Sequence, residues 1–432
     1  MSKSALSQVG ELQQGNPLQE VSNLPINGLK SAIRRLDLNN FRNYRSLRFE
    51  LDDKPVVLTG NNGAGKTNIM EALSFLAPGR GLRHAALGDI AFIGNQTAAD
   101  SWAVAVQLDS RNGLLKLGTG VEYLKSRDQR VRRVISVDGV VTKGHSQLTK
   151  HLSMVWLTPE MDRLFMEGSS GRRRFIDRIV FGFDSEHASR LASYEQALRA
   201  RQRLLKENSS DNVWLSVLED TIASNGVALS AARKDVVTRL NAALSFRREK
   251  TGVQFPSASL EVFGEIDTLL RTNPALAVED RLRALMSSSR QSDRASGRTE
   301  HGPHRSDLLV VNTDKNMPAE KCSTGEQKAL LIAIVLAYAH LLTIDRQATP
   351  IILLDEVAAH LDEKRRSALA ENIKNLGIQA WLTGTDESLF ESFGGSAQYF
   401  KVADATVSLS GGGQNNIYLK GTGSDDGYTR IR

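Results

Sequence analysis

The residues best suited to chemistry form a glycine-rich loop between a short apolar run at 56–59 and a segment at 69–76 whose apolar residues keep helical spacing. Strand, loop and helix in this order fit the phosphate-binding pattern G-x-x-x-x-G-K-[ST], in which glycines let backbone N–H groups approach the phosphates. Lys66 is expected to neutralise the β- and γ-phosphates, and Thr67 to bind Mg²⁺. The alternative is a glycine turn before an ordinary helix. We predict an ATP-binding loop made of Gly60, Asn61, Asn62, Gly63, Ala64, Gly65, Lys66, Thr67 and Asn68.

Two acidic residues end a second apolar run, at 350–354, which is typical of a central parallel strand covered on both faces. In such sheets, chemistry collects at the carboxyl ends of the strands. Asp355 is predicted to hold Mg²⁺, directly or through water. Glu356 is the catalytic candidate, because it could orient or deprotonate the water that attacks the γ-phosphate. By itself the pattern also fits an ordinary strand end, but downstream of a phosphate loop it is typical of a nucleotide site.

A polar stretch at 323–328 opens a segment, 329–342, that is apolar nearly all round and is therefore predicted to be a buried helix. The polar N-terminus of such a helix offers free N–H groups and a hydroxyl to an anion. The alternative is a capping box, in which a serine or threonine and an acidic or amide side chain satisfy the helix end. Its place shortly before the Asp355–Glu356 strand favours anion binding by Ser323, Thr324, Gly325, Glu326, Gln327 and Lys328.

The elements that must position these residues divide the chain into lobes. Lys66 and Asp355 are 289 positions apart, too far for one compact α/β unit, so the chain between them is expected to form a second lobe. Alternating runs predict strands at 33–38, 46–51 and within 101–141, with a hairpin turn at 138–139, and helical patterns cover 185–206 and 213–249. The serine- and arginine-rich stretch 286–300 is predicted to be a flexible crossing. We expect a disordered extension at 1–30, an ATPase lobe at 31–160 and 301–410, a helical lobe with a basic face at 161–300, and a flexible tail at 411–432.

Composition sets broad limits on the class of protein. The 432 residues include 41% hydrophobic and 24% charged side chains, which is ordinary for a globular protein. A net charge of +6 permits an anionic partner such as nucleic acid without requiring one. The single cysteine, Cys322, excludes an intramolecular disulfide and fits a reducing cytoplasm. The longest apolar stretch, about fourteen residues, is too short to span a bilayer, so we expect no membrane association.

Residues 171–206 concentrate positive charge, with nine lysines and arginines against four acids. A concentrated basic face binds the phosphate backbone of DNA without reading sequence. The alternative is a solvated helix face, and the arginine run at 172–174 could instead brace the nucleotide lobe. The predicted DNA-binding residues are Arg172, Arg173, Arg174, Arg199, Arg201 and Arg203.

Phosphate loop, Ser-x-Gly-x-Gln helix and apolar-Asp-Glu strand together resemble the ATP-binding cassette head of transporters and SMC-type DNA-repair ATPases. The likeness becomes specific when further motifs are read in order: residues 41–44, 157–160, 171–177, 302–308 and 354–362. Over roughly 33–410 the chain resembles the RecF family of bacterial recombination and repair proteins. The resemblance implies an α/β fold, an ABC-type P-loop ATPase head with mixed sheets plus a helical second lobe.

The same resemblance implies a weak, ATP- and Mg²⁺-dependent ATPase that binds duplex, gapped or single-stranded DNA junctions. It implies action at single-strand gaps and stalled forks, where RecO and RecR help load RecA. It also implies a homodimer on ATP, in which Ser323 and Gly325 of one chain touch the γ-phosphate held by Lys66 of the other. Two features depart from cassette ATPases: residues 381–386 hold no histidine, and the glutamine that contacts magnesium has no evident counterpart.

Other function classes fit less well. A transporter ATPase subunit would carry Leu-Ser-Gly-Gly-Gln and a histidine switch in a shorter chain. A small-molecule kinase or GTPase would use the phosphate loop alone and leave residues 323–328 without a role.

Overall fold

The computed structural model describes residues 29–94, 97–123, 131–142, 146–207, 211–251, 255–410 and 417–418. Residues 1–28 of the predicted N-terminal extension, which was expected to cover 1–30, and most of the predicted tail after 410 lie outside the described residues. Within the tail region, Ile417–Tyr418 pairs with the preceding strand Thr406–Leu409.

An antiparallel six-stranded sheet forms one layer and consists of β1 Ala32–Phe41, β2 Tyr44–Glu50, β6 Ala103–Ser110, β7 Gly113–Tyr123, β8 Val131–Val137 and β9 Val140–Thr142. Its strand order is β2-β1-β6-β7-β8-β9. The predicted hairpin at 138–139 is confirmed, because Asp138 and Gly139 both have positive φ and join β8 to β9. A separate two-stranded ribbon consists of β4 Ile93–Gly94 and β5 Thr97–Ala98.

A seven-stranded sheet forms the central layer and consists of β3 Val56–Thr59, β10 Met154–Leu157, β14 Ile351–Leu354, β15 Ala380–Gly384, β16 Gln398–Ala403, β17 Thr406–Leu409 and β18 Ile417–Tyr418. Its strand order is β10-β14-β15-β3-β16-β17-β18. It is parallel from β10 to β16 and antiparallel at its last two strands. The predicted parallel, doubly covered strand at 351–354 is confirmed, because all four of its residues are buried.

Two hydrophobic cores cover the two faces of this sheet. On one face, Leu58 and Leu353 pack with the phosphate-loop helix and the six-stranded sheet. On the other, Val57 and Leu354 pack with a long apolar helix that runs from Thr324 to Arg346. Successive residues of β10 and β14 enter opposite cores in alternation, which is why these two strands are continuously apolar.

The helical lobe is built on a long antiparallel helix pair, which confirms the two predicted helices at 185–206 and 213–249. A three-stranded sheet, β11 Ala258–Phe263, β12 Asp307–Asn312 and β13 Met317–Pro318, packs at its base. The predicted flexible crossing at 286–300 is wrong, because this stretch is largely helical. The helices are α1 Lys66–Ser74, α2 Ser146–Thr149, α3 Ser169–Phe183, α4 His187–Lys206, α5 Asn212–Thr251, α6 Glu265–Thr272, α7 Ala275–Ser288, α8 Arg290–Ser296, α9 Thr324–Arg346 and α10 Glu363–Asn375.

Candidate functional site

The glycine-rich loop between β3 and α1 has a backbone that only glycine allows at two positions. A Cβ on Gly60, whose φ is +148°, would lie 2.1 Å from the carbonyl oxygen of Val402. A Cβ on Gly65, at φ +114°, would lie 2.6 Å from both the Asn43 amide and the Tyr44 hydroxyl. The loop therefore sits directly against β16 and the β1–β2 turn, and its shape follows from these close approaches.

Lys66 lies inside the curve of this loop. Its ammonium donates to the carbonyl oxygens of Gly60 at 2.6 Å and Asn61 at 2.9 Å. Burial lowers the pKa of Lys66, while the nearby carboxylates of Glu356 and Asp355 act in the opposite direction. The loop thus surrounds the Lys66 side chain and holds it close to Asp355 and Glu356, the predicted metal ligand and the catalytic candidate.

The acidic residues meet the loop at the carboxyl ends of three neighbouring strands, β14, β15 and β3. Asp355 Oδ1 accepts hydrogen bonds from Thr383 at 2.6 Å and from Thr67 at 3.1 Å. The Thr383 hydroxyl also accepts from the backbone N–H of Glu356 at 2.8 Å. Burial raises the pKa of Asp355, and Glu356 raises it further, whereas the hydroxyls of Thr383 and Thr67 lower it. Residues predicted separately from distant parts of the chain, Thr67, Asp355 and Glu356, therefore form one site.

Sequence reasoning does not find Thr383. The segment 381–386 stands out in the sequence only for its lack of a histidine, whereas the structure places a fully buried threonine there, between Asp355 and Glu356. The available signal is its position at the end of an apolar run that has to be a strand beside the Asp-Glu strand.

The oxygen atoms of Thr67 and Asp355 suit magnesium, which takes one or two protein oxygens and completes its shell with phosphate and water. Their 3.1 Å separation brings both to one point beside the loop. Among the described residues, no group of three or more histidines, cysteines or acids could hold a metal alone. A magnesium ion here would depend on nucleotide phosphates for its remaining ligands.

A charged network supports the loop from below, and sequence reasoning does not find it either. Arg42 binds both carboxylate oxygens of the fully buried Glu71, at 2.9 and 2.6 Å. Arg83 donates to the same carboxylate at 3.2 Å and to the Asn68 side chain at 2.9 Å, while the Asn68 amide donates to Asn43. Helix α1 is thereby fixed to the turn between β1 and β2.

The N-terminus of α9 divides into an exposed part and a buried part. Ser323 and Thr324 are exposed, whereas Gln327 and Lys328 are buried. The backbone N–H of Ser323 donates to Glu326 at 3.0 Å, so the capping box is present. Lys315 pairs with Glu326 and, with this cap, lowers the pKa of Glu326 to about 2. Residues 60–68 and 323–328 are all described, and no hydrogen bond or ion pair joins the two stretches within the chain.

Helix α9 is buried as predicted. By length and composition it is the one helix in the described ranges that could cross a membrane, yet 83% of its most apolar window is buried within the fold. Such burial is what a core helix between a sheet and other helices requires.

The predicted basic face needs correction. The prediction for Arg201 is wrong: its guanidinium is fully buried and donates to Glu219 at 3.0 Å and Asp293 at 2.7 Å. Arg172 forms a two-pronged ion pair with Asp307 in β12, and Arg173 donates to the Ser306 carbonyl oxygen. Both therefore brace α3 against the three-stranded sheet. The remaining exposed members of the predicted set are Arg174, Arg199 and Arg203.

A glycine-rich phosphate loop, an acidic pair at the end of one central parallel strand and a buried helix with an exposed polar start define an ABC-type ATPase head. The sequence model of the RecF/RecN/SMC N terminal domain family matches residues 32–407. The DNA replication and repair protein RecF of Rhizobium leguminosarum bv. trifolii (strain WSM2304) is 46% identical over 378 residues, 88% of this chain and 99% of the relative. The RecF of Allorhizobium ampelinum is 47% identical over 380 residues, with the same coverage of both chains. The chain therefore belongs to the RecF family.

Solved structures agree with the fold. A structure of the recombination mediator protein RecF with ATPrS, in the RecFOR pathway, superimposes with a TM-score of 0.75 at 22% identity, covering 88% of this chain and 98% of that one. The corresponding structure of RecF with ATP gives a TM-score of 0.71, also at 22% identity, over 88% and 99% of the two chains. At this identity the likeness supports the fold.

Proposed function

We propose that the chain is an ATP-dependent DNA-binding protein of replication and recombinational repair. The observation that carries this proposal is the meeting of Thr67, Asp355, Thr383 and Glu356 beside the phosphate loop. Relatives with 46–47% identity over almost their whole length are named DNA replication and repair protein RecF. The fold matches RecF structures obtained with ATP. ATP is accordingly the proposed nucleotide.

The proposed reaction is slow hydrolysis of ATP. Water attacks the γ-phosphorus, the bond to the bridging oxygen of ADP breaks, and the water proton passes to the Glu356 carboxylate. Magnesium, when bound, would neutralise charge on the β- and γ-phosphates. Lys66 contributes a second positive charge from inside the loop, and Thr67 and Asp355 supply the protein oxygens for the metal.

ATP is proposed to join two copies of the chain. Ser323 and Thr324 are exposed, and neither they nor Gly325 hydrogen-bond to the chain's own phosphate loop, so they are accessible to the γ-phosphate of a second copy. Met166, whose side chain is 64% exposed, lies beside this surface, because the Gln327 amide contacts its sulfur at 3.4 Å. A large exposed apolar side chain next to an exposed helix start fits a surface that closes on another chain.

DNA is the proposed macromolecular partner, at single-strand gaps or stalled forks in the cytoplasm. The exposed arginines on α3 and α4 (Arg174, Arg199 and Arg203) are proposed to contact its phosphates. RecO and RecR, which would then load RecA, are the proposed protein partners, because structural neighbours belong to the RecFOR pathway.

The test is the mass of the full chain in solution, by size-exclusion chromatography with light scattering, with and without Mg-ATP and gapped duplex DNA. We expect a monomer that becomes a DNA-binding dimer with ATP. Lys66→Ala should abolish ATP binding. Ser323→Arg should bind ATP as a monomer, and Glu356→Gln should dimerise yet hydrolyse ATP slowly. A chain that stays monomeric with ATP and ignores DNA would refute the proposal.

A further inference from the structure

Lys328 joins the start of α9 to the acidic end of the central sheet. It lies one helical turn beyond Thr324 and is only 2% exposed. Its ammonium donates to the Asp162 carboxylate at 3.0 Å and to the backbone carbonyl oxygen of Glu356 at 3.1 Å. One buried cation therefore touches both the chain after β10 and the turn that carries the catalytic candidate.

Asp162 belongs to a short 3₁₀ helix, Pro159–Arg163, that directly follows β10. Strand β10 pairs with β14, and the backbone N–H of Asp355 donates to the Leu157 carbonyl oxygen at 2.9 Å. The second carboxylate oxygen of Asp162 is buried and has no hydrogen-bond partner in the described part of the chain. Lys328 binds the other oxygen and is, among the described residues, the cation that neutralises this carboxylate.

Glu356 has a backbone that requires support. Its φ of +50° lies in the left-handed region, which costs a non-glycine residue free energy. Two hydrogen bonds hold the backbone of Glu356: its N–H donates to the Thr383 hydroxyl, and its carbonyl oxygen accepts from Lys328. The first bond comes from β15 and the second from α9, so the direction of the Glu356 side chain depends on where α9 lies.

We propose that Lys328 is a positioning residue for Glu356. Through Lys328, contact between the start of α9 and the nucleotide bound by a second copy sets the rate at which the first copy hydrolyses its own ATP. This inference rests on the proposed ATP-driven dimer. In that dimer, Ser323 and Gly325 meet the γ-phosphate held by the partner, whereas Lys328, on the next turn, holds the water-activating acid of its own chain. The two nucleotides are therefore coupled through one rigid, buried helix.

A buried lysine with a purely structural role would need only its carboxylate partner. Its loss would lower the folding stability and leave the turnover of the remaining folded protein unchanged. The additional bond to the Glu356 carbonyl predicts a different result: ATP still binds and dimers still form, but hydrolysis slows.

The experiment measures ATP turnover per chain against protein concentration, at saturating Mg-ATP, for the full-length protein and Lys328→Met. Wild-type turnover should rise as dimers form. Lys328→Met should form the same dimers with the same ATP affinity, yet its kcat should stay about ten- to a hundredfold lower at every concentration. Lys328→Arg, which keeps the charge and donors, should recover most of the turnover. Thr343→Val, at the far end of the same helix, is the matched control and should behave as wild type, since among the described residues the Thr343 hydroxyl bonds only to the Ala339 carbonyl oxygen.

Thermal unfolding of each variant separates stability from catalysis. A folded Lys328→Met that forms dimers and has the kcat of the wild type would overturn the inference. Should Lys328→Met not fold, Lys328→Gln replaces it, and equal kcat for Lys328→Arg and Lys328→Gln would overturn the inference. If wild-type turnover itself ignored concentration, or Glu356→Gln hydrolysed ATP normally, the proposed function would fail instead.

Discussion

Thr383→Val tests whether one hydroxyl holds Asp355 and Glu356, the proposed metal-binding and water-activating acids, together. The substitution keeps the shape of a fully buried side chain and removes its only polar group. Asp355 loses a 2.6 Å charge-assisted hydrogen bond, and the Glu356 N–H loses the acceptor it meets at 2.8 Å. Losing one bond to a charged group and leaving one donor unpaired should lower the free energy of unfolding by about 2–4 kcal/mol at neutral pH.

The pH dependence should change in a defined direction. Burial already holds the pKa of Asp355 above its ordinary value, and the Thr383 hydroxyl opposes that shift. Without the hydroxyl, which stabilises the ionised carboxylate, the folded-state pKa of Asp355 rises further. Magnesium needs the ionised carboxylate, so the acidic limb of the turnover profile should move to higher pH. The stability difference from wild type should shrink as the pH falls and Asp355 becomes protonated in both proteins.

The assay is the pH profile of Mg-dependent ATP hydrolysis, together with urea unfolding at pH 7 and pH 4. Thr383→Ser is the matched control, because it retains the hydroxyl and should keep a nearly wild-type acidic limb. An unshifted acidic limb and an unchanged urea midpoint in Thr383→Val would refute the reasoning from these hydrogen bonds.

Gly60→Ala should abolish binding of a fluorescent ATP analogue, because its Cβ would lie 2.1 Å from the Val402 carbonyl oxygen. Gly63→Ala is the control: its Cβ would meet no atom within 4 Å, so it should cost only backbone strain of about 1–2 kcal/mol. Wild-type nucleotide affinity in Gly60→Ala would contradict the described loop. Arg201→Met should lower the free energy of unfolding by about 3–5 kcal/mol in urea titrations, since it breaks a buried ion pair; unchanged stability with weaker DNA binding would return this residue to the DNA surface. Charge reversal of the three exposed arginines, Arg174, Arg199 and Arg203, should leave the free energy of unfolding unchanged. The slope of log K for DNA binding against log salt concentration should become shallower by about 0.9 for each phosphate that the protein no longer neutralises. An unaltered slope would place the DNA elsewhere.

The sequence by itself determined the elements whose chemistry depends on local order. A phosphate loop requires glycines at fixed spacing before a lysine and a helix, so residues 60–67 were identifiable from the pattern alone. A strand buried on both faces must be continuously apolar, so the place of Asp355 and Glu356 at its end was also predictable. The buried α9 followed from its apolar composition, whereas the capping box at its start was the alternative that the sequence analysis did not favour.

Tertiary structure decided which side chains meet. Arg201 and Arg203 are both basic residues on one helix, but only packing against Glu219 and Asp293 shows that Arg201 faces inward. Thr383 and Lys328 became part of the site because strand order and helix packing bring them to Glu356 from positions 27 and 28 residues away. Local sequence patterns report the environment of one element, whereas hydrogen bonds between distant elements depend on their arrangement in space.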